Sequence, residues 1–150
     1  MFRFRLQTLL RLRIAERDER RADLAKALRA EAVLREQERL LQGEQAALAE
    51  RGRQLKAPGA ANVDALLQTH RYELVLSAQA RQLTTQMTQV TGEIERRCLA
   101  LVEADRQVRV LEKLRERQSA AHRVREQRLE VKQLDEQASI GHARRQEVAS

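Results

Sequence analysis

The sequence predicts an all-α fold in which two long helices form an antiparallel coiled-coil hairpin, and the C-terminal helix is the longer. The 150 residues include 5 glycines and one proline, so the chain has few places to turn. Charged residues make up 34% and aromatic residues 2%, which is typical of coiled coils and leaves few large side chains for a globular core. So polar a composition also suits a disordered chain. Regular apolar spacing along both halves argues for helices instead.

The one strong break in this pattern lies at 57–62, Ala-Pro-Gly-Ala-Ala-Asn. Pro58 removes a backbone donor and disfavours α geometry in the residue before it. Gly59 tolerates the positive φ that a chain reversal needs. Asn62 is then a suitable N-cap, with Asp64 in the first turn, where the helix dipole favours an anion. We therefore predict a single domain with these bounds: helix 3–56, turn 57–62, helix 63–140 and a flexible C-terminus 141–150.

A continuous apolar seam runs along the second helix. Stepping alternately by four and three residues, its positions are Leu76, Ala80, Leu83, Met87, Val90, Ile94, Arg97, Leu101, Ala104, Val108 and Leu111. A 3.5-residue repeat sustained over this length is the signature of a left-handed supercoil, and a partner helix must cover the seam. A reversal at 57–62 brings the first helix back onto it. A long parallel homodimer is the alternative, but it must accommodate Pro58-Gly59 in the middle of the rod.

The first helix carries a stripe of leucines at seven-residue spacing. The stripe consists of Leu34, Leu41, Leu48 and Leu55, continued by Ala27 and Leu6, interrupted by Arg13 and Arg20, and widened on one side by Val33, Leu40 and Ala47. Because the helices are unequal, residues after about 118 extend past the start of the first helix. This tail has a weaker apolar pattern, made of Val124, Val131, Leu134 and Ala138. Such a tail is a candidate docking surface, and a frayed end is the alternative.

Basic residues are concentrated near the start of the chain, whose net charge is +7. Residues 1–29 hold nine Arg or Lys and four Asp or Glu, whereas acids and bases alternate along most of the rest, as on a solvated coiled-coil face. A basic end suits nucleic acid, an anionic membrane surface or an acidic protein partner. The single cysteine, Cys98, cannot form an internal disulfide, which fits a reducing compartment. With no apolar run of about 20 residues and no signal peptide, we expect a cytoplasmic protein that meets a membrane only through partners.

No catalytic or metal-binding constellation is recognisable in the sequence. His70, His122 and His142 are far apart, and none lies four residues from another His or a Cys. There is no glycine-rich phosphate loop, and a two-helix hairpin lacks the concave pocket that catalysis usually needs. We therefore predict a binding protein and not an enzyme, with no cofactor, metal or small-molecule substrate. The alternative is a nucleic-acid-associated or filament-forming coiled coil, although interleaved acids and the lack of an aromatic stacking platform disfavour nucleic acid.

Tyr72 is an isolated aromatic residue shortly after the predicted turn. Leu74, Val75 and Leu76 are consecutive apolar residues, so at least one of them points away from the seam. An exposed apolar patch of this kind marks a contact site. The alternative is that Tyr72 caps the end of the hairpin core.

Motifs at both ends of the chain together resemble the flagellar export protein FliJ family. Residues 2–13 are similar to the family's opening, in which alternating Phe and basic residues precede a Leu-Leu-x-x-Arg run. Residues 111–117 resemble its Leu-Glu-Lys-Leu-Arg-Glu segment, and 134–136 its terminal Leu-Asp-Glu. Arg71-Tyr72 falls where the family places an aromatic residue after the loop. The resemblance covers nearly the whole chain, and secretion stalk proteins of the YscO kind are a near alternative.

The resemblance implies a non-catalytic stalk and chaperone-escort component of the bacterial flagellar type III protein export apparatus. Family members are coiled coils similar to the central stalk of rotary ATPases, and they bind the export ATPase FliI, the export-gate membrane protein FlhA and substrate chaperones. They are peripheral to the inner membrane at the flagellar base. Carried onto this sequence, the ATPase-ring surface consists of Phe2, Phe4, Leu6, Leu9, Leu10, Arg13, Leu111, Glu112 and Leu114. The export-gate or chaperone surface consists of Tyr72, Leu74 and Val75.

Overall fold

The computed structural model describes residues 1–59 and 62–149, and within them the chain forms two α-helices that pack against each other as a hairpin. Helix α1 spans Gln7–Leu55 and helix α2 spans Val63–Val148, and this described part of the chain contains no strand. The predicted all-α hairpin with the longer second helix is therefore confirmed.

The observed helix bounds differ from the expected ones at both ends of the chain. Helix α1 begins at Gln7 and not at residue 3, because residues 1–4 are non-helical and the Gln7 amide donates to the Phe4 carbonyl at 3.3 Å. Helix α2 continues past 140 to Val148, since no proline follows the turn and the helix takes in Gly141. Of the segment 141–150, expected to be flexible, Ser150 lies outside the described residues.

The chain reversal follows the local chemistry expected of it. Gly59 has a φ of 90°, a left-handed conformation that costs glycine no Cβ clash. The Asn62 Oδ1 accepts a hydrogen bond from the Ala65 amide at 3.2 Å, as an N-cap residue does, and Asp64 lies in the first turn of α2. The remaining two residues of the predicted turn, Ala60 and Ala61, lie outside the described residues.

Burial of side chains confirms the seam on α2. None of its eleven positions is exposed, Leu76 and Val108 are fully buried, and Leu83 is buried. Its polar member, Arg97, donates from Nη1 to the Asp23 carbonyl of α1 at 2.5 Å and from Nε to Glu93 at 2.7 Å. On α1 the seven-residue leucine series is half-buried, but the three residues expected to widen it are exposed. These are Val33, Leu40 and Ala47. The stripe on α1 is therefore narrower than predicted.

The chain divides into two compact units. The turn unit is Asp18–Glu103, and the terminal unit joins Met1–Arg17 to the chain from Ala104 onwards. In the turn unit, Tyr72 pairs with Glu44 and Arg97 with Asp23, so positions on α1 fall as positions on α2 rise, which makes the pairing antiparallel. In the terminal unit, the start of the chain packs on the second half of α2.

Candidate protein-interaction surfaces

The non-helical N-terminal segment alternates between buried and exposed side chains. Phe4 is buried and Phe2 is half-buried, whereas Arg3 and Arg5 are exposed. A non-helical segment can place successive side chains on opposite sides, so a Phe-Arg-Phe-Arg run buries its aromatic rings and leaves its guanidinium groups in solvent. The alternation that carried the resemblance to the FliJ family therefore has a structural role in this chain.

A small hydrophobic core ties the N-terminal segment and the start of α1 to the middle of α2. Leu10 is 1% exposed and Val108 is 0% exposed, and both pack with the buried ring of Phe4. Around these three lie partly buried apolar residues from both helices and the N-terminal segment, namely Phe2, Ile14, Leu111 and Leu114. Five of the nine residues expected at the ATPase-ring surface therefore lie in or against a single cluster.

Contacts made by the first two residues extend this core along α2. The rings of Phe2 and His122 have their centroids 5.7 Å apart, with planes tilted by 59°. His122 Nδ1 lies 3.3 Å from a carboxylate oxygen of Glu126, and the Met1 amino group lies 3.8 Å from the other one. All three groups at the Glu126 end are partly or fully solvent-exposed, so the ion pairs contribute little stability on their own.

The other four residues expected at the ATPase-ring surface are more accessible than the core. Leu6 and Leu9 are each 37% exposed, although they neighbour the buried Leu10. Arg13 is half-buried and donates from Nη1 to Glu16 at 2.8 Å. Glu112 belongs to none of the apolar contacts of the cluster and is half-buried. The expected set therefore contains both buried residues that hold the ends together and residues that present an outer surface.

The residues expected at the second surface are all exposed. Tyr72 is 47% exposed, and Leu74 and Val75 are more than two-fifths exposed as well, whereas Leu76 beside them is buried in the seam. The Tyr72 hydroxyl donates to Glu44 Oε2 of α1 at 3.3 Å. The Glu44 carboxylate raises the pKa of Tyr72, first by its negative charge and then by this hydrogen bond, because both disfavour the phenolate.

A groove between α1 and α2 adjoins Tyr72 in the turn unit, and we call it the glutamine groove. It has a volume of about 330 Å³ and is lined by Gln37, Leu40, Leu41, Glu44, Gln79, Gln82, Leu83 and Gln86. Tyr72 and Val75 precede Gln79 and Gln82 at spacings of three and four residues, so these four lie along one face of α2. Leu74 belongs to a different face. Among the residues that line the groove, only Glu44 is charged, whereas charged side chains are frequent on the rest of the surface.

Sequence reasoning did not identify the glutamine groove, although a signal for it exists. Its α2 glutamines repeat at spacings of three and four, one position before the seam residues Ala80, Leu83 and Met87. The exposed Leu40 continues the groove on α1, where the sequence pattern had assigned it to the buried stripe. Positions beside a coiled-coil seam usually carry charged residues. Their absence from this face was the sign in the sequence that could have indicated the groove.

The tail of α2 is helical and exposed throughout the stretch singled out in the sequence. Val124, Val131, Leu134 and Ala138 are all exposed, with no part of α1 over them. Cys98 is also exposed. Within residues 1–59 and 62–149 no cluster of three or more His, Cys, Asp or Glu side chains is arranged to hold a metal ion. Among the same residues, neither helix has a stretch apolar enough to cross a bilayer.

These features define a coiled-coil hairpin protein in which a small core ties the start of the chain to α2 and several apolar side chains are exposed. The chain matches the family model described as flagellar FliJ protein over residues 1–147. It therefore belongs to the FliJ family, which makes it a component of the flagellar export apparatus. Comparison with curated proteins and with solved structures gives no significant match to either.

Proposed function

We propose that this chain is the non-catalytic stalk and chaperone-escort subunit of the flagellar export apparatus. In this role the terminal unit binds the ring of a FliI-like export ATPase, and the surface around Tyr72 binds an FlhA-like export gate or substrate chaperones. The chain acts in the cytoplasm, peripheral to the inner membrane at the flagellar base, through these partners. The observation that carries the proposal is the buried cluster of Phe4, Leu10 and Val108, which joins the start of the chain to the middle of α2.

The division between buried and exposed residues supports distinct roles within the ATPase-ring surface. Phe4 and Leu10 hold the N-terminal segment and α1 on α2, since the chain's own side chains cover them. Leu6 and Leu9 are exposed beside them and supply apolar contact area for the ring. Arg13, which is half-buried, adds charge at the edge of that area.

The second surface is supported by exposure and by continuity with the glutamine groove. Tyr72 and Val75 leave about half of their area in water, and they lead into a groove that has little charge. An amphipathic helix of a partner fits such a groove. Its apolar side chains recur every three or four residues along one face and pack between the side chains that line the groove. Tyrosine is among the side chains most often found at the energetic centre of protein interfaces.

Binding to a purified FliI-like ATPase tests the first part of the proposal. We expect the chain to bind the ATPase and to raise its hydrolysis rate or ring assembly at near-stoichiometric amounts. A Leu6→Asp/Leu9→Asp variant is expected to bind about tenfold or more weakly, because two charges then face the ring. Leu28→Asp/Leu99→Asp is the matched control, since both leucines are exposed in the turn unit.

Two results would contradict the ATPase assignment. One is a wild-type chain that neither binds the ATPase nor changes its rate. The other is tight, salt-sensitive binding to duplex DNA or open-ended assembly in a sedimentation run, which is what a nucleic-acid-associated or filament-forming coiled coil predicts.

Binding to the soluble domain of an FlhA-like gate tests the second part. Tyr72→Ala and Val75→Asp are each expected to weaken the complex by about tenfold. Val102→Asp introduces the same charge at another exposed valine of α2 and is expected to leave binding unchanged. Equal losses for Val75→Asp and Val102→Asp would argue against a specific surface at Tyr72.

A further inference from the structure

A basic pocket lies in the terminal unit, beside the core that joins the start of the chain to α2. It has a volume of about 440 Å³ and is lined by Phe2, Arg3, Arg5, Gln118, Ala121, His122 and Arg125. Its three arginines come from the N-terminal segment and from the tail half of α2, so the pocket exists only because the two are packed together. The residues Gln118, His122 and Arg125 were not among those predicted at this end.

The charge of this pocket is not neutralised from within the described residues. Among the ion pairs formed there, Arg3, Arg5 and Arg125 take no part. Glu126, the acid next in sequence to Arg125, is already in contact with His122 and the Met1 amino group. Helix α1 starts directly after Arg5 and has no acidic residue in its first turn, so the positive end of its dipole adds to the field.

The N-terminal segment holds two of the arginines in place. Phe2 packs against His122 and Phe4 is buried in the core, so Arg3 and Arg5 between and after them are held on the outer side. Holding charged groups at a defined position before a partner arrives lowers the entropy lost on binding. Three guanidinium groups, one amide and two apolar side chains then face one open volume.

We propose that this pocket binds carboxylate side chains of an acidic protein segment. Guanidinium groups donate two parallel hydrogen bonds to a carboxylate, which makes arginine the residue that suits such a ligand best. Phe2 and Ala121 contact the apolar stems of the bound side chains. The identity of the segment rests on the proposed function, in which the terminal unit binds the ring of a FliI-like export ATPase, and we assign the acidic segment to that ring because the pocket is basic.

The surroundings of the pocket favour a protein segment over nucleic acid or a membrane surface. A phosphate backbone or a lipid surface needs an extended field of positive charge. Along the tail of α2, however, acidic residues lie between the arginines, namely Glu126, Glu130, Asp135 and Glu136. Their negative charges would repel the phosphates of nucleic acid or lipid. The pocket itself is wide enough for a few side chains, and Phe2 and Ala121 lie among its basic and polar lining residues, which suits mixed acidic and apolar residues.

A fluorescein-labelled short polyglutamate peptide tests the pocket directly, with polyglutamine of the same length as the neutral probe. We expect polyglutamate to raise the fluorescence anisotropy on titration with the full chain at low ionic strength, and polyglutamine not to. The Arg3→Gln/Arg125→Gln variant is expected to bind polyglutamate about tenfold more weakly. Arg51→Gln/Arg81→Gln removes the same charge from exposed positions of the turn unit and is expected to bind within about twofold of wild type.

Several outcomes would overturn this inference. Equal losses of polyglutamate affinity in the two double variants would show that binding responds to the net charge of the chain alone. Tighter, pocket-dependent binding of phosphatidylglycerol vesicles or of duplex DNA than of polyglutamate would assign the site to phosphates. The ATPase experiment separates the inference from the proposed function. If the Arg3→Gln/Arg125→Gln variant still binds the ATPase but no longer binds polyglutamate, the carboxylates that occupy the pocket belong to another partner. If the wild-type chain binds polyglutamate but not the ATPase, only the proposed function fails.

Discussion

At the scale of single residues, Leu10 and Leu12 show how sharply burial changes within one turn of α1. Leu10 is 1% exposed in the terminal core, and Leu12 is 55% exposed. Both are leucines in a run of similar composition, so their difference comes entirely from the direction in which each side chain leaves the helix. In a two-helix structure only a narrow stripe of each helix is covered.

We expect Leu10→Ala to lower the free energy of unfolding by about 2–4 kcal/mol, because a buried leucine leaves a cavity beside Phe4 and Val108. Urea denaturation followed by circular dichroism measures the change. Leu12→Ala is the control at an exposed position, where the expected change is within about 0.5 kcal/mol. Similar losses in the two variants would contradict the assigned core.

Tyr72 offers a second test, because it is the only tyrosine and the chain has no tryptophan. Absorbance at alkaline pH therefore reports the ionisation of this one phenol. The Glu44 carboxylate raises the pKa of Tyr72, so Glu44→Gln is expected to shift the titration to lower pH. Glu38→Gln, at an exposed position of the same helix, controls for the change in net charge. An unchanged titration in Glu44→Gln would show that the two side chains do not interact.

At the scale of elements, Gly59 and Gly43 illustrate opposite requirements. Gly59 has a positive φ at the reversal, whereas Gly43 lies inside α1 with no atom near the position that a Cβ would occupy. Alanine is strained at the first position and favours the helix at the second. The same substitution therefore has opposite signs in the two places.

Gly59→Ala is expected to destabilise the hairpin by about 1–2 kcal/mol, the cost of placing a Cβ in the left-handed region. Gly43→Ala is expected to stabilise it by about 0.5–1 kcal/mol. Thermal unfolding of both variants and of the wild type shows directly whether each substitution raises or lowers the stability of the hairpin. A stabilised Gly59→Ala variant would contradict the conformation at the reversal.

The seam between the helices provides the other test at this scale. Ile94→Asp places a charge among apolar residues that face α1, so we expect a large loss of helical content or of cooperative unfolding. Val102→Asp is the control, because Val102 lies on an exposed face of the same helix. A near-native melting curve for Ile94→Asp would rule out the seam as the surface that pairs the helices.

At the scale of the whole molecule, the proposed ATPase surface belongs to the terminal unit and the proposed gate surface to the turn unit. Each has its own core residues, Leu10 and Val108 in one and Leu76 and Leu83 in the other. Substitutions at exposed positions of one unit leave the packing of the other untouched, since contributions of distant sites add independently. One chain can therefore serve two partners through separate surfaces.

Crossed binding measurements test this separation. Leu6→Asp/Leu9→Asp is expected to weaken the ATPase complex and to keep gate binding within about twofold of wild type. Val75→Asp is expected to do the reverse. Loss of both activities in either variant, with helical content retained, would mean that the two partners share one surface.

The sequence by itself determined the helices, the reversal and the seam, because each depends on local chemistry or on a repeat. Pro58 and Gly59 together interrupt helical geometry, Asn62 caps a helix through its own side chain, and a 3.5-residue repeat specifies a supercoiled contact. The alternation of Phe and Arg at residues 2–5 likewise follows from the chain alone. Even so, the repeat did not show that Leu40 is exposed.

Only the tertiary structure decided which residues form surfaces together. Whether Leu6 or Leu10 is covered depends on the rotation of α1 against α2, which both helices determine jointly. The glutamine groove needs residues of both helices side by side, and the basic pocket unites Arg3 with Arg125. No local pattern relates positions so far apart, because their proximity results from the register in which the two helices pack.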